Sequence, residues 1–489
     1  MNNASVTKKT IRGLSFQTLV TIVLGLVEIG AFSIMSRLLS QQDFGYYAAI
    51  VAVATVFQSL SETGIGSAIV QKKNIDQHFI DNAFSLSVIL GVIISGSLCL
   101  CSNLLARFIA DETMTVPLRI FSITLLCQCI SSVNISLLQR KLQFLKIGLI
   151  NLISLILTTI IAIFLAIRGY GYYAILTKAV AQNVFILLAS YLVVNIRYKF
   201  RYDQTTYKNI LGFGGWLMAS ALFRNLAHQV DRLLMGSLFS VTILGLYTRP
   251  KEFISGISNK FNFIFDSVLF PVLSTIQDER ERLQKSFLSS FYFFNLFGML
   301  ISLLFFYNGE LIIRIFFGEN WLKDIKNLFM VLSIYPVFLI NGRLGDIFLR
   351  SLALTKQQFI FRVGQFSFAV IFILVGYRFG IIALAVSVML SYLVITAIKI
   401  VYLTRKMEIS IINIVKVIIK SYKFCLFVIP TYIASVVVLP HSWAGNLIQM
   451  IIFVIVIGIL FFAFPKLVGR QYEQEAYTKV VSFVKKKVK

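Results

Sequence analysis

Apolar runs of about 20 residues, the length an α-helix needs to cross the hydrocarbon of a bilayer, recur along this chain from Leu14 to Phe464. That recurrence removes most folds from consideration. Hydrophobic residues make up 58% of the 489 and charged residues only 14%, too few to solvate a soluble globule of that size. Inside lipid every backbone N–H and C=O must bond within its own helix or around a closed barrel. Runs this long and continuous fit helices, so the chain reads as an all-α polytopic membrane protein.

About fourteen transmembrane helices are expected, at 14–38, 44–69, 80–104, 116–138, 146–167, 171–195, 210–236, 243–270, 285–307, 327–349, 358–377, 380–403, 421–440 and 445–465. The eighth carries Arg249, Lys251, Glu252, Lys260 and Asp266 and would be poor as an isolated span. It makes sense as an amphipathic wall of a cavity, because ionisable groups at membrane depth face protein or water.

The formal net charge is +25. The cations punctuate the apolar runs and form no compact basic domain, so no nucleic-acid partner is expected. One set of loops holds Lys8, Lys9 and Arg12, Lys72 and Lys73, Arg140 and Lys141, Arg197 to Lys208, Arg280 and Arg282, Lys356, Arg405 and Lys406, and the tail at Lys485 to Lys489. The alternate loops hold few: Arg107, Arg168, Arg314, Lys323, Lys326 and Arg378. Basic loops stay cytoplasmic, which places both termini in the cytoplasm and makes anionic membrane lipid a partner. The first apolar run lacks a small-residue cleavage site and reads as an uncleaved span.

No metal or cofactor is expected. The pairs Cys99/Cys101 and Cys127/Cys129 lie within expected helices, where residues two apart point to nearly opposite faces. No Gly-rich phosphate loop is present, so ATP is not an internal energy source. An H+ or Na+ gradient, or consumption of product outside, must drive any transport.

The chain repeats itself. Ser40, Gly45 and Tyr47 align with Ser240, Gly245 and Tyr247 at a constant offset of about 200 residues, each at the outer turn between two spans. The halves are then parallel repeats about an axis along the membrane normal. The expected domains are a six-helix lobe at 1–195, a cytoplasmic linker at 196–209, a six-helix lobe at 210–403, and 404–489 with two extra helices and a basic tail.

These segments resemble a known family. Arg37-Leu38-Leu39-Ser40-Gln41-Gln42-Asp43-Phe44-Gly45-Tyr46-Tyr47 and Glu62-Thr63-Gly64-Ile65-Gly66-Ser67-Ala68-Ile69-Val70-Gln71-Lys72 look like the N-terminal signature of Wzx-type oligosaccharide-lipid flippases, on the branch resembling the colanic acid exporter. Leu138 to Phe144, Phe213 to Trp216, Phe270 to Asp278 and Phe317 to Trp321 continue the likeness in family order. The resemblance implies a MATE-like exporter fold, two pseudo-symmetric six-helix lobes around a central V-shaped cavity plus two C-terminal helices, in a bacterial cytoplasmic membrane. It also implies flipping of an undecaprenyl-pyrophosphate-linked oligosaccharide for capsule, exopolysaccharide or O-antigen synthesis, without enzymatic chemistry, in association with polysaccharide polymerase machinery. Its motifs are mostly structural turns and carry few site residues.

A substrate of that kind needs cations for phosphate, hydroxyls and aromatics for sugar, and an apolar opening for its tail. Arg224, His228 and Asp231 share one face of the seventh span, and Arg249 and Lys260 share a stripe of the eighth. Arg343, Asp346 and Arg350 do so on the tenth. Arginine suits phosphate through its planar fork. The plainer alternative is internal pairing: Asp231 with Arg224, Arg232 or Arg249, and Asp346 with Arg343 or Arg350. Lys251 and Arg350 could instead reach an interface with their charged ends. Glu28 and Glu62 are candidates for coupling or gating, with Lys260 a partner for Glu62. Trp216 and Tyr247 are candidates for stacking on sugar, and Trp321 for an interfacial belt. Two other functions compete: an ion-coupled drug or metabolite antiporter of the same superfamily, and a membrane-embedded polysaccharide polymerase. The short outer loops argue against the polymerase, which needs acid–base groups on an extramembrane loop.

Overall fold

The computed structural model describes residues 20, 23–61, 65–72, 75–108 and 112–438 and isolated positions between 445 and 455. Every regular element among the described residues is helical. Helix α1 covers 23–38. It is followed by α2 (Gln41–Ser61), α3 (Ile65–Gln71), α4 (Gln77–Phe108), α5 (Thr115–Arg140), α6 (Phe144–Ile167), α7 (Tyr172–Val194) and α8 (Gln204–Leu238). Then come α9 (Val241–Thr275), α10 (Arg280–Tyr307), α11 (Gly309–Phe316), α12 (Glu319–Leu332), α13 (Tyr335–Ser351), α14 (Thr355–Gly376), α15 (Ile381–Lys406) and α16 (Ile411–Val438). The start of the expected first span, the last span at 445–465 apart from isolated positions, and Glu62 lie outside the described residues, as do the side chains of Trp216 and Cys425.

Among the described residues, nine segments are long and apolar enough to cross a membrane. Helices α8 and α9, which carry most of the charge noted in the sequence, are not among them. The expected tenth span is two helices. Ser333 and Ile334 separate α12 from α13, and Pro336 stands in the first turn of α13. A proline there cannot donate to the preceding turn and its ring would meet the carbonyl four residues back, but it is well tolerated where a helix begins. The short α11 was not expected. It buries Leu311, Ile312 and Ile313 and is tied to α12 by the ion pairs Arg314–Glu319 and Lys326–Glu310.

The chain divides into two compact units, Met1–Thr248 and Arg249–Lys489. In the first, α5 packs on α4 and α7, α6 on α7, and α2 on α8. Ile65, Ile69, Phe79, Ile80, Leu86, Val133 and Leu137 form one buried cluster. Burying such aliphatic side chains against protein replaces lipid contacts with close packing. Arg140, in the family-like segment, donates to the carbonyl oxygens of Ile69, Val70 and Lys72 and so caps the C-terminal end of α3. In the second unit, α10 packs on α13 and α16, α14 on α15, and α13 on α15. Phe253, Phe305, Phe317 and Phe329 make edge and tilted ring contacts there. Trp321 is 3% exposed and lies 5.9 Å from the Phe317 ring, so it belongs to this core and not to an interfacial belt.

The repeat seen in the sequence reappears at helix starts. Helix α2 begins at Gln41 after Ser40, and α9 begins at Val241 after Ser240. Ser40 and Asp43 form a capping box: the Asp43 amide donates to Ser40 Oγ at 3.1 Å, and the Ser40 amide donates to Asp43 Oδ2 at 2.9 Å. In the second copy only the serine half survives, with the Ile243 amide donating to Ser240 Oγ at 3.4 Å. The two helix starts touch within the first unit. A Cβ at Gly45 would fall on the Val241 carbonyl and one at Gly245 on the Gln41 carbonyl, so the two matching glycines permit a backbone approach no larger residue allows.

The connection after α7, at 196–203, has no regular secondary structure and is held to the first unit along its length. Asp81, 1% exposed, accepts from the Lys199 amide at 3.3 Å and pairs with the Arg201 guanidinium at 3.6 Å. The Arg201 amide donates to Ser85 Oγ at 2.8 Å. Tyr198 stacks on Phe84 at 4.2 Å, and its hydroxyl donates to Asn134 Oδ1. Burial pushes the Tyr198 phenol above its ordinary range, with smaller contributions from Tyr191 and Asp81. The segment expected as part of a cytoplasmic linker is therefore held against α4 and α5 as far as Asp203. There the carboxylate caps α8 by accepting from the Thr205 and Thr206 amides. Hydrogen bonds from the Thr206 and Thr205 side chains lead in holding Asp203 down to about 2.

Candidate functional site

In the first unit, α8 distributes its charged residues over different surroundings. Asp231 is 2% exposed and its Oδ2 accepts from the Tyr247 hydroxyl at 2.8 Å. Tyr247 is fully buried. Its ring is thus not available to stack on a sugar; it neutralises the polarity of a buried carboxylate. His228, one turn before Asp231, is exposed, and Arg224 is half-buried with its Nε 3.4 Å from Asn225 Oδ1. Asn225 in turn donates to Ser59 Oγ of α2 at 2.9 Å. Arg224 and His228 are accessible and Asp231 is not, although the three share a face by spacing. Glu28 on α1 is exposed.

In the second unit, Arg249 is 9% exposed, with Nη1 3.6 Å from Glu252 one turn on. Lys251 is 6% exposed and its ammonium stands 5.6 Å from the centre of the Tyr335 ring. It is buried, where a lysine reaching for an interface would be exposed. Lys260 is exposed, further along α9.

The charges on α13 split between two neighbours. Arg343 and Arg350 both donate to one oxygen of Asp266 on α9, Arg350 at 3.3 Å. The Arg350 guanidinium also lies 5.3 Å from the centre of the Phe270 ring, one turn beyond Asp266. Asp346 turns the other way. Its Oδ1 accepts from Lys399 Nζ of α15 at 2.8 Å, and the same ammonium donates to the Gly342 carbonyl at 3.3 Å. Lys399 has 5% of its side chain exposed, and its stem fills the space that a Cβ at Gly345 would need. The alternatives that paired Asp346 with Arg343 or Arg350 are corrected: the two guanidiniums share Asp266, and Asp346 is matched with a lysine two helices later in the chain.

Asp266 and Lys399 were visible as charges within expected spans but carried no local pattern to mark them. A lone Lys in the apolar run 380–403 implies a carboxylate partner on another helix, and that signal could have found Lys399. No group of three or more His, Cys, Asp or Glu side chains arranged to hold a metal occurs among the described residues. Cys127 and Cys129 are buried in packing; Cys99 is half-buried and Cys101 exposed.

With this geometry in view, the chain can be set beside known proteins. Residues 34–326 match the model of a family described as polysaccharide biosynthesis protein. The chain is 25% identical to the lipopolysaccharide biosynthesis protein WzxC of Escherichia coli over 81% of this chain and 80% of that one. It is 24% identical to the teichuronic acid biosynthesis protein TuaB of Bacillus subtilis, over 68% of this chain and 70% of that one. Among solved structures it resembles the lipid II flippase MurJ in an inward closed conformation, with a TM-score of 0.69 at 13% identity over 92% of this chain and 99% of that one. It also resembles an inward-facing multidrug resistance MATE family transporter of the MOP superfamily, with a TM-score of 0.64 at 15% identity over 80% of this chain and 98% of that one. At these identities the structural likeness speaks for the fold.

Proposed function

We infer that this chain, which belongs to the polysaccharide biosynthesis protein family, flips polyprenyl-pyrophosphate-linked oligosaccharides across the cytoplasmic membrane for surface polysaccharide synthesis. The observation that carries the reading is the excess of arginine and lysine over carboxylate on α8, α9 and α13 of a membrane protein from this family. A translocated pyrophosphate needs cations at membrane depth, and such cations are too costly to keep without a use. The names of the relatives, which concern lipopolysaccharide and teichuronic acid synthesis, support a sugar polymer as the end product. The proposal includes fourteen spans arranged as two six-helix repeats plus two C-terminal helices, both termini in the cytoplasm, and an alternating-access cycle. It also includes coupling to H+ or Na+, work alongside a polysaccharide polymerase, and no catalysis by the chain itself.

Arg224, His228, Arg249, Lys260 and Arg343 are the proposed substrate contacts, with Asp231 and Asp346 as internal counter-charges and Glu28 and Glu62 as coupling or gating groups. The test is complementation of a strain lacking this gene. Wild-type protein should restore surface polysaccharide. The Arg224→Ala/Arg249→Ala double variant, at matched protein level, should lose most of it and accumulate lipid-linked repeat unit in the inner leaflet. Full export by the double variant would remove both arginines from the site. Failure of the wild type to change polysaccharide or its lipid-linked precursor would refute the flippase reading.

A further inference from the structure

We propose that Arg343 and Arg350 form a two-pronged pyrophosphate site that Asp266 occupies as a built-in competitor in the absence of substrate. The proposal rests on the flippase reading and gives its substrate's headgroup a place of entry.

Both guanidiniums converge on one oxygen, Asp266 Oδ2. A carboxylate that served only to neutralise a single arginine would use both oxygens in a fork-to-fork pair. Here Asp266 Oδ1, Arg343 Nε and Arg350 Nε have no hydrogen-bond partner among the described residues. The donors outnumber what one oxygen can satisfy, and the charge is one positive in excess. The other nearby carboxylate, Asp346, makes its ion pair with Lys399 and donates no oxygen to either guanidinium's hydrogen bonds.

The trio is also accessible in the right order. The arginine side chains are 38% and 36% exposed, and Asp266 is 17% exposed. An anion arriving from solvent therefore meets the guanidiniums before the carboxylate. Phe270 holds the Arg350 plane by its face at 5.3 Å, which leaves the N–H edge of the guanidinium for a phosphate.

A pyrophosphate ester fits this arrangement better than a carboxylate does. It carries a negative charge on each phosphorus, and its two phosphates can each take one guanidinium. Arg343 and Arg350 stand two turns apart on the same side of α13. The site lies at the end of α13 that leads into the turn at Leu352–Leu354, and near the end of α9 that leads toward Arg280 and Arg282. By the distribution of basic loops this is the cytoplasmic rim, where a lipid-linked sugar assembled inside must enter. Displacing Asp266 would also release the tie between α9 and α13, so binding and helix movement are linked through the same two hydrogen bonds.

The purified full chain in nanodiscs tests this with farnesyl pyrophosphate as probe and farnesyl monophosphate as control. Arg343→Gln/Arg350→Gln should weaken pyrophosphate binding at least tenfold, as about 1.5–3 kcal/mol per charged hydrogen bond implies, and should weaken monophosphate binding, which engages one guanidinium, by a smaller factor. Asp266→Asn should tighten pyrophosphate binding several-fold, because the competitor is gone; a merely structural ion pair predicts no gain. Unchanged or weaker binding in a folded Asp266→Asn protein overturns the proposal. If Asp266→Asn does not yield monodisperse protein, Asp266→Glu should keep wild-type affinity while Arg350→Gln loses it, and equal affinities for those two overturn the proposal. Export is scored separately. A wild-type chain that exports while its binding ignores positions 266, 343 and 350 keeps the flippase reading and sinks this site. A chain that binds as expected but restores no export keeps the site and sinks the flippase reading.

Discussion

At the scale of single residues, the buried Asp346–Lys399 pair shows how membrane-depth charge is tolerated. The ammonium has two acceptors, one charged, at 2.8 and 3.3 Å, and little solvent. Removing one partner leaves the other without compensation, at a cost of about 3 kcal/mol. Lys399→Met is therefore expected to lower the unfolding midpoint of detergent-purified protein strongly, and Asp346→Leu/Lys399→Met to recover most of that loss. A single variant as stable as the wild type would show that the pair contributes nothing. The neighbouring trio differs in kind. Asp266 is less exposed than the arginines it holds, and it is outnumbered by them.

Among the helices and their connections, the segment 196–203 matters most. Its basic residues Arg197, Lys199 and Arg201 predict a cytoplasmic linker, although Ile196, Tyr198, Phe200 and Tyr202 alternate with them. The clamp depends on groups that belong to α4 and α5: the buried Asp81 and Ser85, and Asn134, which is held in turn by its own bond to Ser190 at 3.2 Å. Asp81→Ala removes the acceptor for both the Lys199 amide and the Arg201 guanidinium. Limited trypsin digestion of the folded protein is expected to cut at Lys199 or Arg201 at least several times faster in that variant than in the wild type. Equal cleavage rates would mean that Tyr198 and the bond from the Arg201 amide to Ser85 hold the segment without Asp81. Elsewhere the helix boundaries follow local chemistry, as with the Ser40–Asp43 box at α2 and Pro336 at the start of α13.

Taken as a whole, the molecule owes its proposed orientation to a charge pattern that no single helix contains. Basic connections such as those at 141–143 and 276–285 alternate with sparsely charged ones such as 168–171 and 377–380. Single cysteines placed in a cysteine-free background at Gln143 and the exposed Arg282 should be blocked only by a membrane-permeant maleimide. One at Tyr170 should be blocked by an impermeant reagent added outside. Outside labelling at position 143 would invert the topology and move the Arg343–Arg350 site to the opposite face of the membrane.

The sequence alone determined where the helices run. Thirteen of the expected spans, all but 445–465, overlap a described helix, with 327–349 divided between two, because membrane insertion is decided by the hydropathy of about 20 consecutive residues. It also set α9 apart from an ordinary span, and it singled out Ser40 and Ser240, each of which precedes the start of a helix. Tertiary structure alone decided which charge meets which. On α13 the spacing 343, 346, 350 suggested pairing along the helix, but position 346 is turned by about 60° from 343 at 3.6 residues per turn. That rotation is enough to send the carboxylate to α15 and both guanidiniums to α9. Ion-pair partners on separate helices leave no periodic trace in a sequence, since they are fixed by packing between segments that are distant along the chain. Lys399 and Asp266 were for that reason legible only as isolated charges until the helices were assembled around them.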